Sequence, residues 1–109
     1  MSMADLDQSL LEEIVRRIRS VTGPELVIMF GSASTNTMTP DSDIDLLVVE
    51  SSSGNLRNKS IVIREALRGL GLPFDVIVMS SERFRETKNV IGGIAYPACK
   101  YGKVIYEAA

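Results

Sequence analysis

Apolar residues recur at Leu6, Leu10, Leu11, Ile14, Ile18 and Val21, spaced by threes, fours and sevens. That period predicts one buried face of an amphipathic helix, ended by Thr22-Gly23-Pro24. The pattern then changes. Glu25-Leu26-Val27-Ile28-Met29-Phe30 is a short, almost continuous apolar run between glycines, which predicts a buried strand central in a sheet covered on both faces. From Gly31 to Ser42 the chain is polar. Asp43-Ile44-Asp45-Leu46-Leu47-Val48-Val49 predicts a second strand with a charged beginning. After a loop over Ser51–Gly54, Ile63, Leu67 and Leu70 lie on one face of a second helix over Leu56–Leu70, closed by Gly69 or Gly71. Pro73-Phe74-Asp75-Val76-Ile77-Val78-Met79 predicts a third strand, again with an aspartate near its start. Ser80-Ser81 are natural N-cap residues for a short helix to about Lys88. A weaker helical stretch over Val90–Lys100 is loosened by Gly92, Gly93 and Pro97, and Gly102-Lys103-Val104-Ile105-Tyr106 predicts a last short strand. Without repeats or low-complexity linkers, the order predicts one α/β (α+β) domain over 1–109, a small mixed sheet backed by helices.

Composition narrows the chemistry by what is missing. The chain has no His, so imidazole bases, Ser-His-Asp or Cys-His nucleophiles and His-containing zinc sites are excluded. The single cysteine, Cys99, cannot form an intramolecular disulfide and suits a reducing cytoplasm. Twelve Lys and Arg against 14 Asp and Glu leave a net charge of −2, which argues against direct nucleic-acid binding. Acids interrupt the apolar residues of Met1–Arg19, no secretion signal is visible, and no apolar run approaches the ~20 residues of a membrane span. A cytoplasmic location is the expectation. Catalysis then has to come from carboxylates, hydroxyls, Lys or Arg, or a bound metal.

Asp43, Asp45 and Asp75 stand out because they break apolar strands. A strand has period two, so Asp43 and Asp45 are expected on one face. Two carboxylates so close repel unless something neutralises them. Hard oxygen ligands suit Mg²⁺ or Mn²⁺. Were the third strand to lie beside the second, Asp75 would complete a metal-ligand triad suited to phosphoryl or nucleotidyl transfer. An Asp at a strand start is more often only a turn residue, so the pair alone is a weak sign. A calcium loop starting at Asp41 fails, because its sixth and twelfth places hold Leu46 and Ser52 instead of Gly and Glu. Gly31-Ser32, directly after a buried strand, can offer backbone N–H groups and a hydroxyl to a phosphate. Neither a P-loop nor a dinucleotide fingerprint is present.

Together, Phe30-Gly31-Ser32, Pro40-Asp41-Ser42-Asp43-Ile44-Asp45-Leu46-Leu47-Val48, Asp75-Val76-Ile77-Val78 and Gly102-Lys103-Val104-Ile105-Tyr106-Glu107 resemble the polymerase-β-like nucleotidyltransferase superfamily. The likeness is to its minimal nucleotidyltransferases, often the antitoxin partners of helical HEPN-domain toxins. The resemblance implies that Gly31 and Ser32 bind the triphosphate of ATP or another nucleoside triphosphate. Asp43 and Asp45 would hold two Mg²⁺ (or Mn²⁺) ions. Asp75 would help hold the catalytic metal and accept the proton of the attacking hydroxyl. It further implies transfer of AMP from ATP to an acceptor hydroxyl, a Tyr of a HEPN partner, with the chain as antitoxin. One departure is plain: Ala33–Thr39 carries no cation where many minimal members have an Arg. Arg57, Lys59 and Arg64 are candidate substitutes, although a solvated helix face is the more common reason for such residues. Tyr96, Tyr101 and Tyr106 could pack inside or contribute to an interface. Without an acceptor-binding domain, the chain would borrow that surface from a partner or from a second copy of itself. A non-catalytic antitoxin that masks its toxin, and a small-molecule nucleotidyltransferase subunit of the antibiotic-modifying type, are the alternatives.

Overall fold

The computed structural model describes residues 8–30, 44–51, 55–90, 92–93, 98, 100 and 102–108. Their order is α1 (Gln8–Val21), β1 (Pro24–Phe30), β2 (Ile44–Glu50), α2 (Leu56–Ala66), β3 (Phe74–Ser80), α3 (Ser81–Thr87) and β4 (Lys103–Glu107). Apart from the Val90–Lys100 stretch, where Val90, Gly92 and Gly93 are not helical, the expected elements form, with ends displaced by a few residues. The largest displacement is in α2, which stops at Ala66 where the periodicity ran to Leu70. Gly69 and Gly71 both take positive φ (92° and 76°) in the turns beyond it, a conformation costly for other residues. The expected N-cap at Ser80-Ser81 falls on Ser80, whose hydroxyl accepts the backbone N–H of Arg83 at 3.2 Å. Asn55 caps α2 in the same way through Asn58 N–H at 3.1 Å. Within the expected Val90–Lys100 helix, only Ala98 and Lys100 are described as helical; Cys99, Tyr96 and Tyr101 lie outside the described residues.

The sheet runs in the order β3-β2-β1-β4. β1 is antiparallel to both β2 and β4, and β2 is parallel to β3. A parallel pair needs a crossover connection, and α2 supplies it. β1 and β2, the most apolar runs, are the two central strands.

Alternation along the strands builds two cores. One face of the sheet, with Val27, Met29, Ile44, Leu46, Val48 and Val76, packs on Leu11, Ile14 and Ile18 of α1 and Ile63 of α2. The other face, with Ile28, Leu47, Val49 and Met79, packs on Phe84 of α3 and on Ala98. Each fully buried Ile, Leu or Val contributes about 1.5–3 kcal/mol of transfer free energy. Arg17 joins the helices: it binds Glu13 within α1 and donates to the carbonyls of Ala66 and Arg68 at and just beyond the end of α2. At the other edge, Arg19 stacks on the Tyr106 ring, 4.9 Å from its centre, so Tyr106 packs within the fold.

Gly102 stands where β4 begins. A Cβ there would overlap the Ala98 carbonyl oxygen and lie 2.6 Å from Ile28 Cγ2. Gly102→Ala therefore forces backbone apart, and a loss of ~1–3 kcal/mol in urea unfolding is expected. Hydrogen bonds from Arg16 and then Arg17 hold the Glu13 carboxyl down from 4.5 to about 2. A lowered folded-state pKa stabilises above the ordinary carboxyl range and stops doing so as pH falls toward 2. The stability gap between wild type and Glu13→Gln should be flat above pH ~5 and close between pH ~4.5 and ~2. Because Arg16, the first of its partners, is exposed, the gap should also shrink in high salt.

Candidate active site

The parallel register between β2 and β3 sets Asp45 opposite Asp75. The antiparallel register between β1 and β2 sets Phe30, the last residue of β1, opposite Asp45. Phe30, Asp45 and Asp75 thus form one row at one end of the sheet. Their strand neighbours Ile28, Leu47, Ile77 and Met79 all belong to the α3-side core, so the row lies on the face opposite α1 and α2. The backbone N–H of Ile44 donates to the Pro73 carbonyl at 2.9 Å, tying the entry of β2 to that of β3.

Neighbouring strands lie about 4.8 Å apart, so two carboxylates in register on one face come within reach of a shared cation. Both aspartates are only partly buried, and Asp75 keeps 48% of its side chain exposed. Oxygen donors of this kind, open to solvent on one side, fit a hard divalent ion that retains water or phosphate ligands. Among the described residues no group of three or more acids is gathered, and Asp43 lies outside them. Gly31 and Ser32 lie outside them too, although Gly31 succeeds Phe30 directly in the chain.

Of the candidate cations, one belongs to this end of the molecule. Arg64 Nη2 lies 3.5 Å from Asp75 Oδ1. As α2 packs on the opposite face and β3 is an edge strand, the guanidinium reaches Asp75 around the sheet edge. Lys59 instead pairs at 3.2 Å with Glu50, at the far end of β2, and Arg57 is exposed. Sequence periodicity places all three cations on or near one helix without separating them. Glu50 is the acid that sequence reasoning missed; its only signal is a charge closing the run Leu46-Leu47-Val48-Val49.

Comparison with known proteins identifies the family. The sequence model of the nucleotidyltransferase domain family matches residues 9–94, and the chain belongs to that family. It is therefore a transferase that moves a nucleotidyl group, in a family whose domains use nucleoside triphosphates and divalent metals. A crystal structure of a candidate nucleotidyltransferase from Sulfolobus solfataricus is similar in fold, with a TM-score of 0.58 and 22% identity over 89% of this chain and 78% of that one. No curated protein matches the chain in sequence. No helix among the described residues is long and apolar enough to cross a membrane.

If Asp45 and Asp75 share a divalent ion, Mg²⁺ or Mn²⁺ should raise the melting temperature of the wild type. At a hundredfold excess over Kd the gain is about 2.7 kcal/mol. Asp45→Asn and Asp75→Asn should each lose most of that gain in the same thermal scan.

Proposed function

We propose that the chain transfers AMP from ATP to a tyrosine hydroxyl of a HEPN-domain toxin and thereby acts as its antitoxin in the cytoplasm. The observation that carries this reading is the in-register pair of Asp45 and Asp75 at the end of β1, from which the chain continues into Gly31-Ser32. In this reading Gly31 and Ser32 hold the triphosphate through backbone N–H groups and the hydroxyl. Asp43 and Asp45 hold two Mg²⁺ ions, with Asp75 sharing one of them. When bound, the metal supplies charge for the α-phosphate and leaving group and lowers the pKa of the attacking hydroxyl. The acceptor oxygen forms a bond to the α-phosphorus, the bond to pyrophosphate breaks, and Asp75, half-exposed at the sheet edge, takes the hydroxyl proton. Arg64 orients Asp75 and adds positive charge to a site whose loop Ala33–Thr39 has none.

The minimal nucleotidyltransferases that the chain resembles are often paired with a HEPN protein, which is why a partner protein is part of the proposal. The cation-free loop favours a second reading, an antitoxin that neutralises by binding alone. The two separate in one assay. The chain is incubated with α-labelled ATP, Mg²⁺ and the HEPN protein encoded beside it. Label should pass to the partner's tyrosine and fall at least a hundredfold, about 2.7 kcal/mol of barrier, in Asp45→Asn. Tight partner binding without label transfer, unchanged in Asp45→Asn, would establish the masking role instead. Transfer to an aminoglycoside and not to protein would establish the small-molecule alternative.

A further inference from the structure

β4 is an outer strand of the sheet, and no described strand pairs with its free edge. Such an edge offers a row of backbone N–H and C=O groups to any extended chain that fits beside it. α1 runs along this edge. Leu11, Ile14 and Ile18 are buried in the core, while Glu12, Val15, Arg16 and Arg19, at helical spacing, line a groove shared with Lys103, Val104 and Ile105 of β4. The groove encloses about 500 Å³, and Val104 is left 52% exposed at its margin.

Its charges are unbalanced. Arg16, Arg19 and Lys103 stand against Glu12 alone, on a chain whose net charge is −2. Arg16 is tied to Glu13 and Arg19 rests on the Tyr106 ring. Neither Arg19 nor Lys103 is in an ion pair among the described residues. A second copy of the chain fits such an edge poorly. Two β4 strands paired about a two-fold axis would turn the Arg16–Arg19 side of one α1 toward that of the other, so like charges would meet. The bulge at Ile105, where Val27 faces Tyr106 but Ile28 faces Val104, also twists the edge away from a rigid continuation. A single flexible segment can follow that twist.

We propose that the groove between α1 and β4 docks an extended acidic segment of another protein, which pairs with β4 as a fifth strand. Its backbone meets the free edge of β4, and alternate side chains turn under α1. Arg19 lies by Tyr106 and Lys103 starts the strand, with Val15 and Leu11 on the helix between, so the matching pattern is acidic-x-apolar-x-acidic. That pattern spans ~13 Å, against ~10 Å from Lys103 to Tyr106 and the added reach of the long cationic side chains. Lys103 is opposite Met29, next to Phe30, so the docked segment runs to the sheet end that carries Asp45 and Asp75, three strand spacings or ~14 Å from Asp45. Only its use in presenting an acceptor rests on the transfer reading; the docking does not.

The test is a titration of the full chain, without ATP or metal, with the capped peptide Gly-Ser-Glu-Thr-Val-Thr-Glu-Ser-Gly, followed by amide NMR shifts. Saturable shifts are expected over Lys103–Glu107 and Val15–Ser20. The peptide with Gln for both Glu should bind at least tenfold more weakly. Lys103→Glu, an exposed position, should keep a dispersed spectrum, lose at least tenfold in affinity and prefer the peptide with Lys for both Glu. Backbone pairing is read from two N-methylated peptides, one methylated at Glu, Val and Glu and the other at both Thr. Successive N–H groups of a strand point to opposite edges, so one of these should bind like the parent and the other at least tenfold more weakly. Asp45→Asn should bind the peptide as the wild type does, which separates this result from the fate of the transfer proposal. The proposal is overturned by the absence of saturable shifts, by equal binding of the Glu and Gln peptides, or by equal binding of the two methylated ones. It is equally overturned by a dimer of the chain that Lys103→Glu dissociates, or by oligouridylate binding the groove more tightly than the peptide.

Discussion

Asp45 and Asp75 face each other across two parallel strands, and the arrangement of the sheet makes that pairing tolerable. Like charges in register on one face oppose folding unless they stay near solvent or gain a counter-charge. The chain does both: the pair sits at the sheet's end, and Arg64 reaches Asp75 around the edge. The cost is offset by the apolar run beyond each aspartate, Leu46-Leu47-Val48-Val49 in β2 and Val76 to Met79 in β3, whose burial on both faces holds the register. A slip of one residue would turn Asp45 into the α1–α2 core and Leu46 away from it.

The direction of the strands matters as much as their register. Because β1 runs antiparallel to β2, the chain leaving β1 at Phe30 is delivered to the same sheet end at which β2 begins. Because β3 runs parallel to β2, its charged start is delivered there too. Three stretches separated in sequence thus meet at one sheet end through strand pairing. A transferase gains from that construction, since groups carried on rigid strands hold their spacing when substrate arrives. The same logic leaves the opposite end of β2 free for the Glu50–Lys59 pair.

Much of this was legible in the chain itself. The three-and-four spacing of Leu11, Ile14 and Ile18 marks a helix face, and the branched apolar runs mark strands, because burial imposes those periods directly on the sequence. The exclusion of imidazole and disulfide chemistry is a matter of composition alone. Motif spacing was enough to suggest the family to which the chain belongs. Helix and strand ends were less legible: Leu67 is buried in the α1–α2 core and satisfies the same period as Ile63, yet the helix has already ended at Ala66. Periodicity records which residues are buried, and turns bury residues too.

The sequence by itself determined the inventory: acids placed at strand starts, a Gly-Ser pair after the first strand, and no imidazole to share the chemistry. Only the tertiary structure decided which groups meet. Asp75 is thirty positions from Asp45, and nothing local states whether β3 lies beside β2 or at the far edge, or runs with it or against it. Likewise Lys59 and Arg64, five residues apart on one helix, are sent to opposite ends of the same sheet. Strand pairing is a long-range choice, made by which faces can be buried together, and a one-dimensional pattern does not contain it.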